Sequence, residues 1–311
     1  MAFDTSQPFS NDVAKLINVG RGNVGSTPSG PALFTDNFES GIIGNQPNAS
    51  SSAFSWDGGA YNTVSEDQSF SGSKSLKLSF IGNVDLTEDA WGEQRFALDR
   101  KYTELWIRYR LYVPVNYVHR SPSGPANNKG LVNLWGESYG GYAPALSFHF
   151  QLPVGTTNPG GSRLYPAWRP NAGTVWNIYD VTDFSRDWVP EQNQIDGITA
   201  ADRGTWIDWV IHVKCSTIEI PQGSTPWENN GTPITGNGVC EIWKNDQKVM
   251  NVQNATNFYN GGASDPGGVG DGWNYGYLLG WANSGFDEDT FMHIDEFSIA
   301  ETAAGVGFTP I

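Results

Sequence analysis

Residues 91–98, WGEQRFAL, 102–120, YTELWIRYRLYVPVNYVHR, and 127–135, NNKGLVNLW, decide how this chain is read. Apolar and polar side chains alternate in each run at every second residue, the period of a strand whose two faces meet different surroundings. In the first run Phe96 and Leu98 mark a core face, which leaves Trp91, Glu93 and Arg95 on the other. In the second, Leu105, Ile107, Tyr109 and Leu111 point inward, and Trp106, Arg108, Arg110 and Tyr112 away. In the third, Val132 and Leu134 go inward, so Asn133 and Trp135 go out. Residues 146–152, LSFHFQL, continue the pattern with Ser147, His149 and Gln151 on the outer side.

If these strands share a sheet, its outer face carries indoles, guanidiniums, amides and one imidazole. Flat aromatic rings cover the apolar faces of sugars, while amides and charged forks hydrogen-bond the hydroxyls. Arginine adds two-pronged recognition of a carboxylate or sulfate, which suits an acidic glycan. The predicted glycan-binding set is Trp91, Glu93, Arg95, Trp106, Arg108, Arg110, Asn133, Trp135, His149 and Gln151. The competing reading is a ladder of salt bridges, Glu93 with Arg95, Arg108 or Arg110.

Outward from this centre the same period recurs. Residues 32–41, ALFTDNFESG, and 291–301, FMHIDEFSIAE, read as first and last strands, which commonly pair in closed sandwiches. Asp36 and Glu39 in one, and Asp295 and Glu296 in the other, are candidate ligands of a structural calcium ion. Solvated carboxylates at strand ends are the alternative. Residues 61–64 and 71–80 read as a hairpin; residues 204–214, 238–251 and 276–283 supply further strands, with a turn at Asn245-Asp246. Between Pro153 and Asp202, rich in Gly, Pro, Asn and Trp, only VWNIYDV looks like a strand, and loops this long usually carry function. Residues 1 to about 31 hold a weakly helical patch, Asp12 to Val19, then GRGNVGSTPSGP, the composition of an extended arm or linker.

The 311 residues are therefore divided into an arm, 1–31, and one domain, 32–311. Charged residues at 16% and aromatics at 13%, with 37 glycines, fit short strands and many turns. A net charge of −15 opposes binding to nucleic acid. No run is long and apolar enough to span a membrane, and MAFDTSQPFSNDVAKL lacks the basic and apolar regions of a signal peptide, so neither insertion nor secretion by that route is expected. Cys215 and Cys240 lie in neighbouring candidate strands, either bridged or as two buried thiols, and no CxxC or Cys/His cluster marks a metal site.

The stretches DNFESG, GSKSLKLSF, EQRFAL, YTELWIRYRLYVPVNYVHR, NNKGLVNLW, GTWIDWVIHVK with EIWKNDQKV, and HIDEFSIA resemble concanavalin A-like jelly rolls of the polysaccharide lyase and heparin lyase I type. The resemblance runs over about residues 32–300. It implies an all-β jelly-roll sandwich of two antiparallel sheets, the lectin/glucanase architecture. The stretch from EQRF to NNK also resembles lyase-like domains of bacteriophage proteins, which suits an N-terminal arm without a signal peptide.

Such lyases remove the proton beside a uronate carboxylate, using a Tyr or His base and cationic or amide groups that neutralise the carboxylate. Related enzymes carry an Arg-x-Glu-x-Arg strand, a Gln-x-His strand and a Tyr-x-Lys-x-Gly-x-Tyr strand. This chain has Trp91, Glu93 and Arg95 against the first, and Asn133 and Trp135 against the second. Aligned on Gly280, the third puts Gly276, Leu278 and Ala282 where Tyr, Lys and Tyr belong. These losses point to a non-catalytic glycan-binding or structural module, a decoration, fibre or tail component on a phage virion surface. Its expected partners are a polysaccharide or cell-surface glycan and, through the arm, other virion proteins. The alternative is a lyase that cleaves a uronic-acid glycan by β-elimination, with Arg95 and a base drawn from His149, Tyr139 or His119. No GxSxG, HExxH, P-loop or Rossmann fingerprint occurs.

Overall fold

The computed structural model describes residues 31–82, 90–118, 126–136, 146–152, 162–168, 176–177, 196–215, 217, 228–229, 232–233, 237–255, 272–282 and 285–310; for 126–129, 146–152, 162–168, 176–177, 196, 228–229, 232–233, 252, 254–255 and 281 it describes the backbone. The arm, apart from Pro31, lies outside these residues, as do His119 and Tyr139.

Eighteen strands occur among the described residues. They are β1 (Ala32–Asp36), β2 (Phe54–Ala60), β3 (Asn62–Ser65), β4 (Ser75–Phe80), β5 (Ala90–Tyr102), β6 (Glu104–Val113), β7 (Ala126–Trp135), β8 (Leu146–Leu152) and β9 (Ser162–Trp168), then β10 (Trp176–Asn177), β11 (Asp196–Ile198), β12 (Thr205–Lys214), β13 (Glu228–Asn229), β14 (Thr232–Pro233), β15 (Gly238–Lys244), β16 (Gln247–Ala255), β17 (Trp273–Ala282) and β18 (Thr290–Ala300). The first sheet runs β16-β15-β12-β6-β18-β4-β3, with β1 also on β18. The second runs β10-β9-β8-β7-β17-β5-β2, with β11 on β9, while β13 and β14 pair separately. All strand pairs are antiparallel, and the fold is a jelly-roll β-sandwich. No described helix is long and apolar enough to cross a membrane.

The core forms where the inward residues of both sheets meet. Phe34 of β1 stacks on Phe54 of β2 at 4.1 Å, and Trp56 of β2 lies 4.9 Å from Phe297 of β18, so aromatic contacts tie one sheet to the other. Each such side chain, taken from water, contributes about 2–3 kcal/mol. The predicted inward residues Phe96, Leu105, Ile107, Tyr109, Leu111, Val132 and Leu134 are all fully buried.

The first and last strands pair, with Asp36 opposite Phe297, and β3 and β4 form the expected hairpin. Asn245 and Asp246 both have positive φ, 49° and 66°, the requirement of a tight hairpin turn, and they join β15 to β16. Cys215 and Cys240 are free and buried, the second of the two states left open by the sequence.

Two expectations fail. Between Pro153 and Asp202 the structure holds β9 and β11 as well as the two-residue β10, so SRLYPAW, which contains Pro166, is a strand that composition disguised. More consequentially, the three central runs do not share a sheet. β5 and β7 belong to the second sheet, but β6 lies in the first between β12 and β18. Only Thr103 separates β5 from β6, and Tyr102-Thr103 offers no glycine or asparagine for the positive φ of a tight hairpin. The chain turns a corner there and crosses to the opposite sheet, where the Thr103 carbonyl accepts from the Cys215 N–H at 2.8 Å.

Candidate active site on the second sheet

β5, β17, β7 and β8 are adjacent, and their register aligns Arg95, Tyr277, Asn133 and Ser147 in one row. Directly opposed residues in an antiparallel pair occupy the same face. The neighbouring row, Phe96, Gly276 and Leu134, is buried in the core, so the Arg95 row faces away from it. Glycine at 276 is required by packing, because a Cβ there would strike the Phe96 ring and the Asn133 carbonyl.

Two residues before Arg95, Glu93 accepts from the Arg95 Nε at 2.5 Å, and it is almost wholly buried while the arginine side chain is 35% exposed. A buried carboxylate thus holds the guanidinium of a partly exposed side chain, a geometry that sets the direction of the cation. Trp135 and Tyr277 lie side by side with ring centroids 4.9 Å apart, and both are buried. Trp91, partly exposed, pairs with Trp281 further along β5. The row therefore brings together a cation, an amide and a phenol beside an indole. His149 and Gln151 are positions of β8, opposite Tyr165 and Arg163 of β9.

Tyr277 was missed by the motif alignment anchored on Gly280. Leu279 and Gly280 have φ of 57° and 110°, and these consecutive left-handed residues break the two-residue period. Gly280 is also where the Tyr277 ring rests, since a Cβ there would meet that ring. The simple alternation of Tyr275, Gly276, Tyr277 and Leu278 would have found it.

Trp106, Arg108 and Arg110 leave the predicted set, because β6 carries them on the outer side of the opposite sheet. Trp106 is buried, stacked on His212 at 3.9 Å and packed near Trp243 and Phe308. The ring nitrogens of His212 bond Glu241 at 2.8 Å and Glu104 at 2.9 Å. Arg108 donates to Asp208 at 2.7 Å and to the Gly307 carbonyl at 2.6 Å. Arg110 reaches the same Asp208 at 2.9 Å and stacks over Phe70. This face is an internal network that seats the C-terminal segment, and the ladder expected between Glu93 and Arg108 or Arg110 is excluded by the separation of the sheets.

Of the candidate calcium ligands, Asp36, Glu39 and Asp295 are each engaged by separate protein donors. Asp36 accepts from the Trp56 indole at 2.8 Å and the Phe38 N–H at 2.7 Å. Glu39 accepts from the N–H groups of Ser73 and Lys74. Asp295, fully buried, accepts from the N–H groups of Phe70, Ser71 and Glu296. Burial pushes its carboxyl up to about 7 despite these three donors. Among the described residues no group of three or more His, Cys, Asp or Glu side chains is arranged to hold a metal ion.

The sequence profile of the family described as polysaccharide lyase matches residues 50–297, most of the chain. The chain belongs to the polysaccharide lyase family. The Glu93–Arg95 pair of β5 and Tyr277 of β17 both fall within the matched span. No curated protein sequence matches. Among solved structures, a mutant alginate lyase in complex with an alginate trisaccharide is 11% identical over 88% of this chain and 99% of that one, with a TM-score of 0.50. An endo-β-1,4-glucuronan lyase from the fungus Trichoderma reesei is 16% identical over 81% and 93%, with a TM-score of 0.47. An alginate lyase from Chlorella virus is 12% identical over 80% and 93%, at 0.45. At such identities the likeness concerns the fold alone.

Proposed function

We propose that this member of the polysaccharide lyase family cleaves a uronic-acid-containing glycan by β-elimination on the outer face of the second sheet. The observation that carries the reading is the row Arg95–Tyr277–Asn133, with Arg95 held by Glu93. In this reading Arg95 neutralises the uronate carboxylate, which acidifies the adjacent C5–H, and the fully buried Asn133 amide lies in the same row. A base takes that proton, the C4–C5 double bond forms, and the C4–O4 bond breaks with a proton delivered to the leaving oxygen. In this reading Tyr277, packed against Trp135, serves in proton transfer. The losses at Trp91, Asn133 and Trp135 thus leave a working set in which Tyr277 supplies the group that the motif alignment had removed.

The test is incubation with glucuronan, alginate and heparin-type polymers while following the ultraviolet absorbance of the unsaturated uronate product. Product is expected from at least one polymer, with Arg95→Ala and Tyr277→Phe each lowering the rate by roughly 100-fold or more. Binding of these polymers with no product from any would overturn the reading and restore the non-catalytic glycan-binding role.

A further inference from the structure

Arg95 lies opposite a break in the ladder between β5 and β2. Trp56 pairs with Phe96 and Gly59 with Gln94, so Asp57 and Gly58 together face the single residue Arg95. A two-for-one bulge of this kind removes backbone groups from the strand ladder and leaves them to other partners. The Gln94 side chain provides them. Its Nε2 donates to the Gly58 carbonyl at 2.7 Å and to the Arg95 carbonyl at 2.9 Å.

The amide is itself held. Gln94 Oε1 accepts from Asn62 Nδ2, and Asn62 Oδ1 accepts from Gln46 Nε2 at 3.0 Å. The same Gln46 amide donates to the Gly59 carbonyl at 3.1 Å. Gln94 and Asn62 are buried on the core side, and Asn62 belongs to β3 of the first sheet, so the chain of amides joins the two sheets. Gly58 adopts φ of 71°, and a Cβ on Gly59 would strike the Asn62 amide and the Glu93 carbonyl, so Gly58 allows the backbone of the bulge and Gly59 leaves the room that this chain occupies.

We propose that Gln94 and Asn62 are positioning residues for Arg95. The amide chain locks the bulge and so fixes the direction in which Glu93 and Arg95 leave β5. The consequence for turnover rests on the lyase reading; the consequence for the arginine does not.

The test uses the full chain and the Nε–H resonance of Arg95, assigned by its loss in Arg95→Lys. Hydrogen exchange at this group is expected to be at least about tenfold faster in Gln94→Met than in the wild type, because the Glu93 pairing is no longer held in one geometry. Gln46→Ala, at the exposed end of the chain, is the gentle variant should Gln94→Met not fold, and a two- to threefold acceleration is expected from it as a rough figure. An unchanged exchange rate in a folded variant overturns the proposal. On a polymer that the wild type cleaves, Gln94→Met is expected to lower kcat but to have no further effect in an Arg95→Ala background. An equal effect in both backgrounds means a general structural role and overturns the proposal. Absence of cleavage by the wild type sinks the lyase reading alone, and the exchange rates still decide the positioning role.

Discussion

The Tyr109 hydroxyl, in the middle of the sandwich, donates a hydrogen bond of 2.6 Å to the Leu131 carbonyl of the opposite sheet. Leu131 lies within the irregular stretch of β7, between the paired residues Asn128 and Val132, two positions before Asn133. A side chain from β6 thus satisfies a buried carbonyl where the β7–β8 ladder is interrupted. Full burial also raises the Tyr109 phenol well above its ordinary range, which keeps it a donor.

Tyr109→Phe leaves that carbonyl buried without its donor. Unfolding by denaturant is expected to show a loss of about 1–3 kcal/mol. A stability equal to wild type would mean that another group takes over the Leu131 carbonyl.

Glu93→Gln keeps the shape beside Arg95 but replaces the charge-assisted bond with a neutral one. Cleavage of a uronan, measured as initial rate, should fall by about tenfold with the fold retained, since the guanidinium loses its fixed direction. Arg95→Lys should fall further, because an ammonium lacks the planar fork.

Trp106→Ala removes a buried ring from the stack with His212, Trp243 and Phe308. The expected effect is a loss of about 3–5 kcal/mol in stability, with glycan affinity of the folded fraction unchanged. A selective loss of glycan binding at full stability would return Trp106 to the contact surface.

Two buried groups on β18 make opposite demands on pH. Burial depresses the His293 imidazole from 6.5 to about 3, and its Nδ1 lies 3.0 Å from the Ser75 hydroxyl. That hydroxyl donates to the Gln68 carbonyl, so the His293 Nδ1–H is the donor in the contact. Between about 3 and 6.5 the unfolded chain binds a proton that folded His293 does not, so this residue makes stability rise with pH. Asp295 is raised from 3.8 to about 7; across that window the folded protein keeps a proton that the unfolded chain has released, so its contribution is lost as pH rises. The two slopes, each about 1.4 kcal/mol per pH unit at most, oppose each other where the windows overlap. Relative to wild type, denaturant midpoints of His293→Gln should fall as pH rises from about 4 to 6.5, and those of Asp295→Asn should rise. Curves parallel to wild type for both variants would contradict this assignment.

Cys215 and Cys240 are expected to react with a thiol reagent only as the protein unfolds, and reductant should leave the melting temperature unchanged. Both are buried as free thiols, and burial, with Glu241 adding to it, drives the Cys240 thiol far above its usual range.

Much of this was legible in the sequence because alternation reports which face of a strand each residue occupies. Phe96 against Arg95 and Ile107 against Arg108 are each sorted to the correct side of their own strand, whereas Asn133, Trp135 and Trp106, read as outward, are themselves buried. The pairing of ALFTDNFESG with FMHIDEFSIAE and the turn at Asn245-Asp246 followed from the same local chemistry. Tyr277 escaped because a motif anchored on Gly280 was counted back through Leu279 and Gly280, whose left-handed backbone shifts the period. Gln94 escaped too: a polar residue at a core-facing position between Glu93 and Arg95 breaks the alternation, and the break marks the amide chain that joins the sheets.

The sequence by itself determined the all-β class, the inward and outward face of each central strand, and the resemblance to polysaccharide lyases. Only the tertiary structure decided which strands lie side by side. Alternation is a property of one strand and its two faces, and it is the same whether that strand sits in one sheet of a sandwich or the other. The corner at Thr103 therefore separated Arg108 and Arg110 from Arg95 without leaving a trace in the period. The register of β17 between β5 and β7, set by long-range hydrogen bonds, placed Tyr277 between Arg95 and Asn133.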